Sequence, residues 1–196
     1  MVRYAKEHKL ETRRRIVESA GRRLKRDGID GSGVATLMAD AGLTNGAFYA
    51  HFGSKEDLVA TAVTDQLAGQ REQLAAVAPG RAGVERIVRS YLSPGRRDNP
   101  GEGCPSAALL DEIGRCAEST KQAYTEGVLG IIDDMVARLE PEDPLSARTA
   151  TLSAYAMMVG TMQLSRAITD RRLADELLEQ GIRNALAIFD GVRQAG

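Results

Sequence analysis

Tryptophan is absent from this chain of 196 residues, and three phenylalanines with five tyrosines leave aromatic side chains at only 4%. Runs of valine, isoleucine and threonine are scarce too. β-Sandwiches and barrels draw on those residue types, so both are disfavoured and an all-α protein is expected. Cysteine occurs only at Cys104 and Cys116, too few for a disulfide framework. On one helix the two would lie about 18 Å apart, beyond the reach of a bridge. Histidine occurs only at His8 and His51, which with two cysteines makes no metal-ligand cluster, and no cofactor is expected. No apolar stretch approaches the roughly 20 residues that span a bilayer. The basic start, Met1 to Lys6, is followed by no apolar run and does not read as a signal peptide, so a reducing cytoplasm is the expected compartment.

Enzyme signatures are equally sparse. Gly31-Ser32-Gly33 and Gly101-Glu102-Gly103 are fragments of a dinucleotide fingerprint, without a third glycine or a preceding strand. No Gly-x-Ser-x-Gly elbow occurs. There is no repeat and no low-complexity tract. A chain that is 43% apolar and 27% charged can nevertheless bury a core, and its length suits one domain or two small ones.

The net charge of −1 is unevenly distributed. Residues 1–26 carry ten basic side chains against Glu7, Glu11 and Glu18, a net of +7, so the remainder carries −8. A basic head on an acidic body suits a polyanionic partner at one end.

Punctuation divides the chain into helices. Ile16, Val17, Ala20 and Leu24 follow helical spacing, and Gly28 closes that helix after Lys25 and Arg26. Val34, Leu37 and Met38 open a short helix that stops at Gly42, and Leu43-Thr44-Asn45-Gly46 opens another, with Thr44 as its N-cap. Ser54-Lys55-Glu56-Asp57 is a capping signal for a helix running to about Ala78. Further helices are expected over 82–92, 105–116, 118–139, 145–168 and 171–190. Between them Ser93-Pro94-Gly95, Asp98-Asn99-Pro100-Gly101, Pro141 with Pro144, and Thr169-Asp170 act as breakers.

The pair of short helices around Gly42 has the spacing of a helix-turn-helix, whose second helix can enter a major groove. Phe48 and Phe52, four apart, pin that helix to a core with Leu37 and Leu43, while Asn45 and Tyr49 fall on another face. Asparagine can bridge adenine N6 and N7, threonine can meet a thymine methyl, and Gly46 permits close backbone approach. Tyr49, His51 and Lys55 suit phosphates. Residues 12–60 resemble the N-terminal DNA-binding domain of the TetR family of bacterial transcriptional regulators. The resemblance is carried by Leu37-Met38-Ala39-Asp40-Ala41-Gly42-Leu43 and by Phe48-Tyr49-Ala50-His51-Phe52-Gly53-Ser54-Lys55. It implies a DNA-binding domain over 1–54 and an effector-binding and dimerisation domain over 55–196. It also implies a ligand-responsive repressor that binds a palindromic operator in double-stranded DNA as a homodimer. Carried over by position, Thr44, Asn45 and Gly46 face bases, Tyr49, His51 and Lys55 face the backbone, and Thr36 makes a contact from the preceding helix. Ala35 and Gly33 depart from the polar residues that members often carry there.

The body is less explicit. Ala147, Ala150, Ala154, Met157, Thr161, Leu164 and Ile168 form one three-four seam, and Leu178, Ile182, Ala185, Phe189 and Val192 a second. The resemblance implies that these pair with a second copy as a four-helix bundle. Tyr91, Tyr124, Tyr155, Met157 and Met158 could line an adaptable pocket for a small-molecule effector. Gly103-Cys104-Pro105 places Cys104 at a helix start, where a thiol is activated, which opens a thiol-sensing alternative. A second alternative is a helical ligand-binding module whose DNA head is vestigial.

Overall fold

The computed structural model describes residues 2–139 and 143–194, the side chains of residues 2–5 and 192–194 excepted. Among these residues every regular element is helical. The α-helices are α1 (Val2–Asp27), α2 (Val34–Asp40), α3 (Lys55–Ala75), α4 (Arg81–Tyr91), α5 (Pro94–Asp98), α6 (Pro105–Arg115), α7 (Glu118–Leu139), α8 (Pro144–Ala167) and α9 (Arg171–Gln194). Two 3₁₀-helices occupy Asn45–Ala50 and Pro100–Glu102.

Local chemistry sets most of these limits. α1 ends at Gly28, whose φ of 83° and N–H bond to the Leu24 carbonyl complete its C-terminal cap. α3 begins at Ser54, whose hydroxyl accepts from the Asp57 N–H at 3.2 Å. Asp57 reciprocates one residue early, accepting from the Gly53 N–H at 3.1 Å. The helix stops at Ala75 and not Ala78, because α7 takes over its end. Arg138 donates to the Leu74 carbonyl at 2.9 Å and accepts from the Gly80 N–H through its own carbonyl. The breaker at Pro141 lies outside the described residues.

Two expectations need correction. The stretch after Ser93 is α5 and a 3₁₀-helix, not merely a break. Ser93 accepts from the Arg96 N–H, and Pro94 stands in the first turn, where no amide partner is needed. The helix after Gly42 is 3₁₀ throughout, and Thr44, at its N-cap, has extended backbone but makes no capping bond with its side chain.

Two apolar clusters hold the chain. The first joins Ile16 and Leu24 of α1 to Leu37, Phe48 and Phe52, and continues along α3 through Leu58 and Leu67 to Ile113 and Ile131. The second lies in the body and centres on Val88, Leu92, Met162, Leu178 and Phe189. α3 and α7 approach so closely that a Cβ on Gly127 would stand 2.5 Å from Leu67 Cδ1. The expected seams of the last two helices belong to this interior. Ala147, Ala154, Thr161, Leu178, Ile182, Ala185 and Phe189 are buried within the chain, Ala150, Met157 and Ile168 are half-buried, and only Leu164 stands exposed. Val192 lies outside the described side chains. Most of both stripes therefore packs α8 and α9 within the chain, while Leu164 stays exposed.

Lys25 is buried on α1, 7% exposed, with Nζ donating to the Gly103 carbonyl at 2.9 Å. Burial lowers its pKa from 10.5 to about 8, with Glu102 opposing the fall. The folded state therefore holds this proton less tightly than the unfolded chain. The resulting penalty is fully present below pH 8 and is relieved as pH rises towards 10.5. Relative to Lys25→Met, the wild-type chain should gain about 2 kcal/mol of unfolding free energy between roughly pH 7 and 10 in urea melts. A pH-independent difference between the two proteins would exclude Lys25 as the titrating group.

Candidate nucleic-acid interface and effector cavity

The turn between α2 and the following 3₁₀-helix is built on Gly42. Its φ of 69° lets its N–H reach the Ala39 carbonyl while Leu43 N–H reaches Met38, both at 2.9 Å. This pair of bonds closes α2 and reverses the chain. Beyond it Phe48 and Phe52 are buried, with ring centroids 5.7 Å apart, and the Arg13 guanidinium lies 4.3 Å over the Phe52 ring. Anchoring that face turns the other one outward. Thr44, Asn45 and Gly46 are exposed, and Tyr49 is 75% exposed, standing edge-on to Phe48. A Cβ on Gly46 would meet nothing within 4 Å, so packing within the chain does not require glycine there. Thr36 is exposed on α2.

His51 and Lys55 are placed differently. His51 is half-buried, and its Nδ1 is buried without a hydrogen-bond partner. Burial first, then Lys9 and Arg13, pushes its pKa down, and a neutral imidazole offers one N–H donor instead of two. Lys55 does not stand free: its Nζ donates to the Ile29 carbonyl at 2.6 Å. The charge of α1 is also partly spent. Arg14 pairs with Glu11 and Glu18, and Arg26 with Asp27, while Arg23 bridges Asp27 and Asp40. Lys6, Lys9, Arg15 and Arg22 remain exposed on the same helix.

The loop after α1 is gripped from the body. Glu112 on α6 accepts from the Ile29 N–H at 2.7 Å and the Asp30 N–H at 2.9 Å. Lys55 holds the Ile29 carbonyl from α3, and Lys25 reaches across to Gly103. Sequence reasoning missed all of these pairings, since each partner lies 26 to 83 positions away. An acid on a solvated helix gives no sign of such a role.

At the other end of α6 the body encloses a cavity of about 260 Å³. Of the residues expected there, Tyr91, Tyr155 and Met158 line it. Met157 packs against the second cluster without lining the cavity. Tyr124 and Cys104 stand behind the wall: Tyr124 donates to Ser106 Oγ at 2.9 Å, Ser106 Oγ lies 2.7 Å from the Tyr155 hydroxyl, and Cys104 Sγ lies 3.5 Å from that hydroxyl. Burial pushes the Cys104 thiol up, but hydrogen bonds from Tyr155, Ser106, Gln70 and the Ala107 backbone outweigh it and leave the pKa lowered. At 3% exposure the thiol is closed to a solvent-borne electrophile. Sequence reasoning also missed Gln70, Gln73, Arg86, Arg96, Thr151 and Phe189, which come from five helices and share no motif. Among the described residues no three His, Cys, Asp or Glu side chains gather as metal ligands would, and no helix is long and apolar enough to cross a membrane.

Comparison with known proteins agrees with this geometry. Residues 16–62 match the model of bacterial regulatory proteins of the tetR family. The HTH-type transcriptional regulator TtgR of Pseudomonas putida is 40% identical over 75 residues, which are 38% of this chain and 35% of that relative. The probable regulator ArpR of Pseudomonas putida matches to the same extent, so the match spans about a third of the length of these relatives. The fold is similar over nearly the whole chain to that of Escherichia coli NemR in its reduced form, with TM-score 0.76 and 19% identity, covering 89% of this chain and 95% of that one. A TetR-family regulator from Agrobacterium tumefaciens gives TM-score 0.75 and 19% identity, covering 91% and 97%.

Glu112→Ala should cost about 1–3 kcal/mol in a denaturant titration, because two amides of the loop lose their acceptor. Glu112→Gln, which keeps one oxygen to accept, should recover part of that loss. Equal stability of Glu112→Ala and wild type would show that the loop finds other partners.

Proposed function

This chain belongs to the TetR family of bacterial regulatory proteins, and on that premise we propose that it is a cytoplasmic one-component repressor, binding operator DNA as a dimer and releasing it when a small molecule fills the cavity of its body. The observation that carries the reading is the division of the Asn45–Ala50 helix into two faces. Phe48 is locked into the core, while Thr44, Asn45, Gly46 and Tyr49 stand together in solvent. These groups can reach base edges and phosphates in a major groove, and residues 1–54 and 55–196 then act as reader and sensor. Thr36 adds a contact from α2. Lys6, Lys9 and Arg15 contribute affinity that is independent of sequence and falls with salt.

Two readers must lie about 34–36 Å apart to occupy successive grooves, so a dimer is required. Its support is the outer stripe of α8, Leu145, Leu152, Ala156, Gly160 and Leu164. Leu145 is 77% and Leu164 58% exposed, and a Cβ on Gly160 would meet nothing within 4 Å. Four of these residues recur every fourth position, forming the kind of ridge that packs helix against helix. Coupling runs along α6, from Ser106 and Cys104, which back the lining residue Tyr155, to the Glu112 grip on the loop after α1. A change of 1.4 kcal/mol in differential affinity alters DNA binding by about tenfold.

Gel shifts with DNA flanking the coding region, at two salt concentrations, test the reading. Specific binding that weakens with salt is expected, and Asn45→Ala should lose about 1–3 kcal/mol of preference for the site. Binding no tighter than to random DNA, there and at sites selected from a random pool, would leave the head vestigial. For the dimer, Leu164→Glu should sediment as a monomer and lose specific binding. A dimeric Leu164→Glu would move the interface elsewhere.

A further inference from the structure

The cavity wall carries more information than its size. Of its lining residues none is a carboxylate, and two are arginines, Arg86 on α4 and Arg96 on α5. Many cations of the body are paired, Arg71 with Asp134, Arg81 with Asp190, Arg97 with Asp98 and Asp175, and Arg148 with Asp133, while Lys121 and Arg183, away from the cavity, have no acid among the described residues. Arg86 has no partner among the described residues, and Arg96 has only a 3.4 Å side-chain contact to Gln73, itself a lining residue. Two cations left without an acid at one opening are a site for an anion, with arginine suited to bidentate capture of a carboxylate. Behind them the wall is apolar, formed by Leu74, Ile131, Met135, Met158 and Phe189. Deeper polar atoms are unsatisfied: the Thr151 hydroxyl and the Tyr91 hydroxyl are buried without hydrogen-bond partners, although both residues line the cavity. Leaving buried hydroxyls unpaired costs free energy, which a polar atom on a ligand would recover.

We infer that the effector is a small amphipathic carboxylate: its head is held by Arg86 and Arg96, its body fills the apolar cavity, and one further hydrogen-bonding group meets Tyr91 and Thr151. The inference rests on the effector-responsive reading above and specifies its ligand class. A cavity of this volume lies at the small end of ligand sites, which excludes large conjugates from complete enclosure.

The test uses the full chain and four probes, octanoate, 8-hydroxyoctanoate, 4-phenylbutanoate and 8-hydroxyoctanamide, in thermal-shift and calorimetric titrations. The carboxylates are expected to raise the melting temperature, and the amide to bind roughly tenfold or more weakly than 8-hydroxyoctanoate. The double variant Arg86→Gln/Arg96→Gln should bind the carboxylates no better than the amide while melting as the wild type does without ligand. Tyr91→Phe should remove any advantage of 8-hydroxyoctanoate over octanoate. Equal binding of 8-hydroxyoctanoate and its amide, unchanged affinity in the double variant, or no binding by any carboxylate would overturn the inference. Gel shifts separate this failure from failure of the regulator reading. A protein that binds its operator and ignores carboxylates loses only the ligand class, whereas one that binds carboxylates but no DNA keeps the site and loses the regulator.

Discussion

The carboxylate of Glu112 accepts from two successive amides of the loop after α1, and the position of the helix-turn-helix depends on that grip. Loop amides with no partner in the head find one on α6, and Lys55 closes the same loop from the carbonyl side. The apolar cluster of the head cannot by itself decide its orientation, because burial is roughly proportional to area and has no direction. Hydrogen bonds to a charged acceptor do have direction, and they register the head against one end of a helix whose other end backs Tyr155 of the cavity wall. A shift of α6 by a fraction of its pitch must therefore break these bonds or carry the loop with it.

Charge is arranged by the same logic of commitment and release. Most arginines of the body are tied to acids or carbonyls, as Arg166 is to the carbonyls of Arg96, Arg97 and Ala107. Exposed pairs of this kind add little stability, but they remove cations from the pool available to ligands. Cations without an acid cluster along α1, at Lys6, Lys9, Arg15 and Arg22, and at the cavity, at Arg86 and Arg96, with Lys121 and Arg183 standing apart among the described residues. The α1 row and the cavity mouth are both suited to anions, one polymeric and one small, and the acidic remainder of the surface repels anions elsewhere.

Much of the helical layout is legible in the residues. Gly28, Ser54 and Gly42 end or start helices for reasons contained within four residues, and the 3.6-residue period of Ile16, Val17, Ala20 and Leu24 marks a buried stripe without reference to anything distant. The exposed row from Thr44 to Tyr49 follows as soon as Phe48 and Phe52 are assigned inward. Ser93-Pro94 reads as a stop although the same two residues also begin helices, and only the cap bond that the Arg96 N–H donates to Ser93 Oγ distinguishes the two. Cys104 draws notice as a candidate sensor through its position before Pro105, yet its placement behind Tyr155 comes from α8 folding over it, which no local pattern specifies.

The sequence by itself determined that the chain is helical, where most helices begin and end, and which residues of the short head helix face outward, because each of these follows from bonds and periodicities spanning a few residues. Only the tertiary structure decided which side of α8 faces inward. The stripe of Ala147, Ala154 and Thr161 and that of Leu152, Ala156 and Gly160 are both small or apolar, and the helix has no strongly polar side, so local pattern does not choose between them. The choice was made by α9, which buries Leu178 and Phe189 against one stripe and leaves the other uncovered. The cavity has the same origin: it is the space left where six helices with imperfectly matching side chains meet, and a property of that gap cannot be written in any one of them.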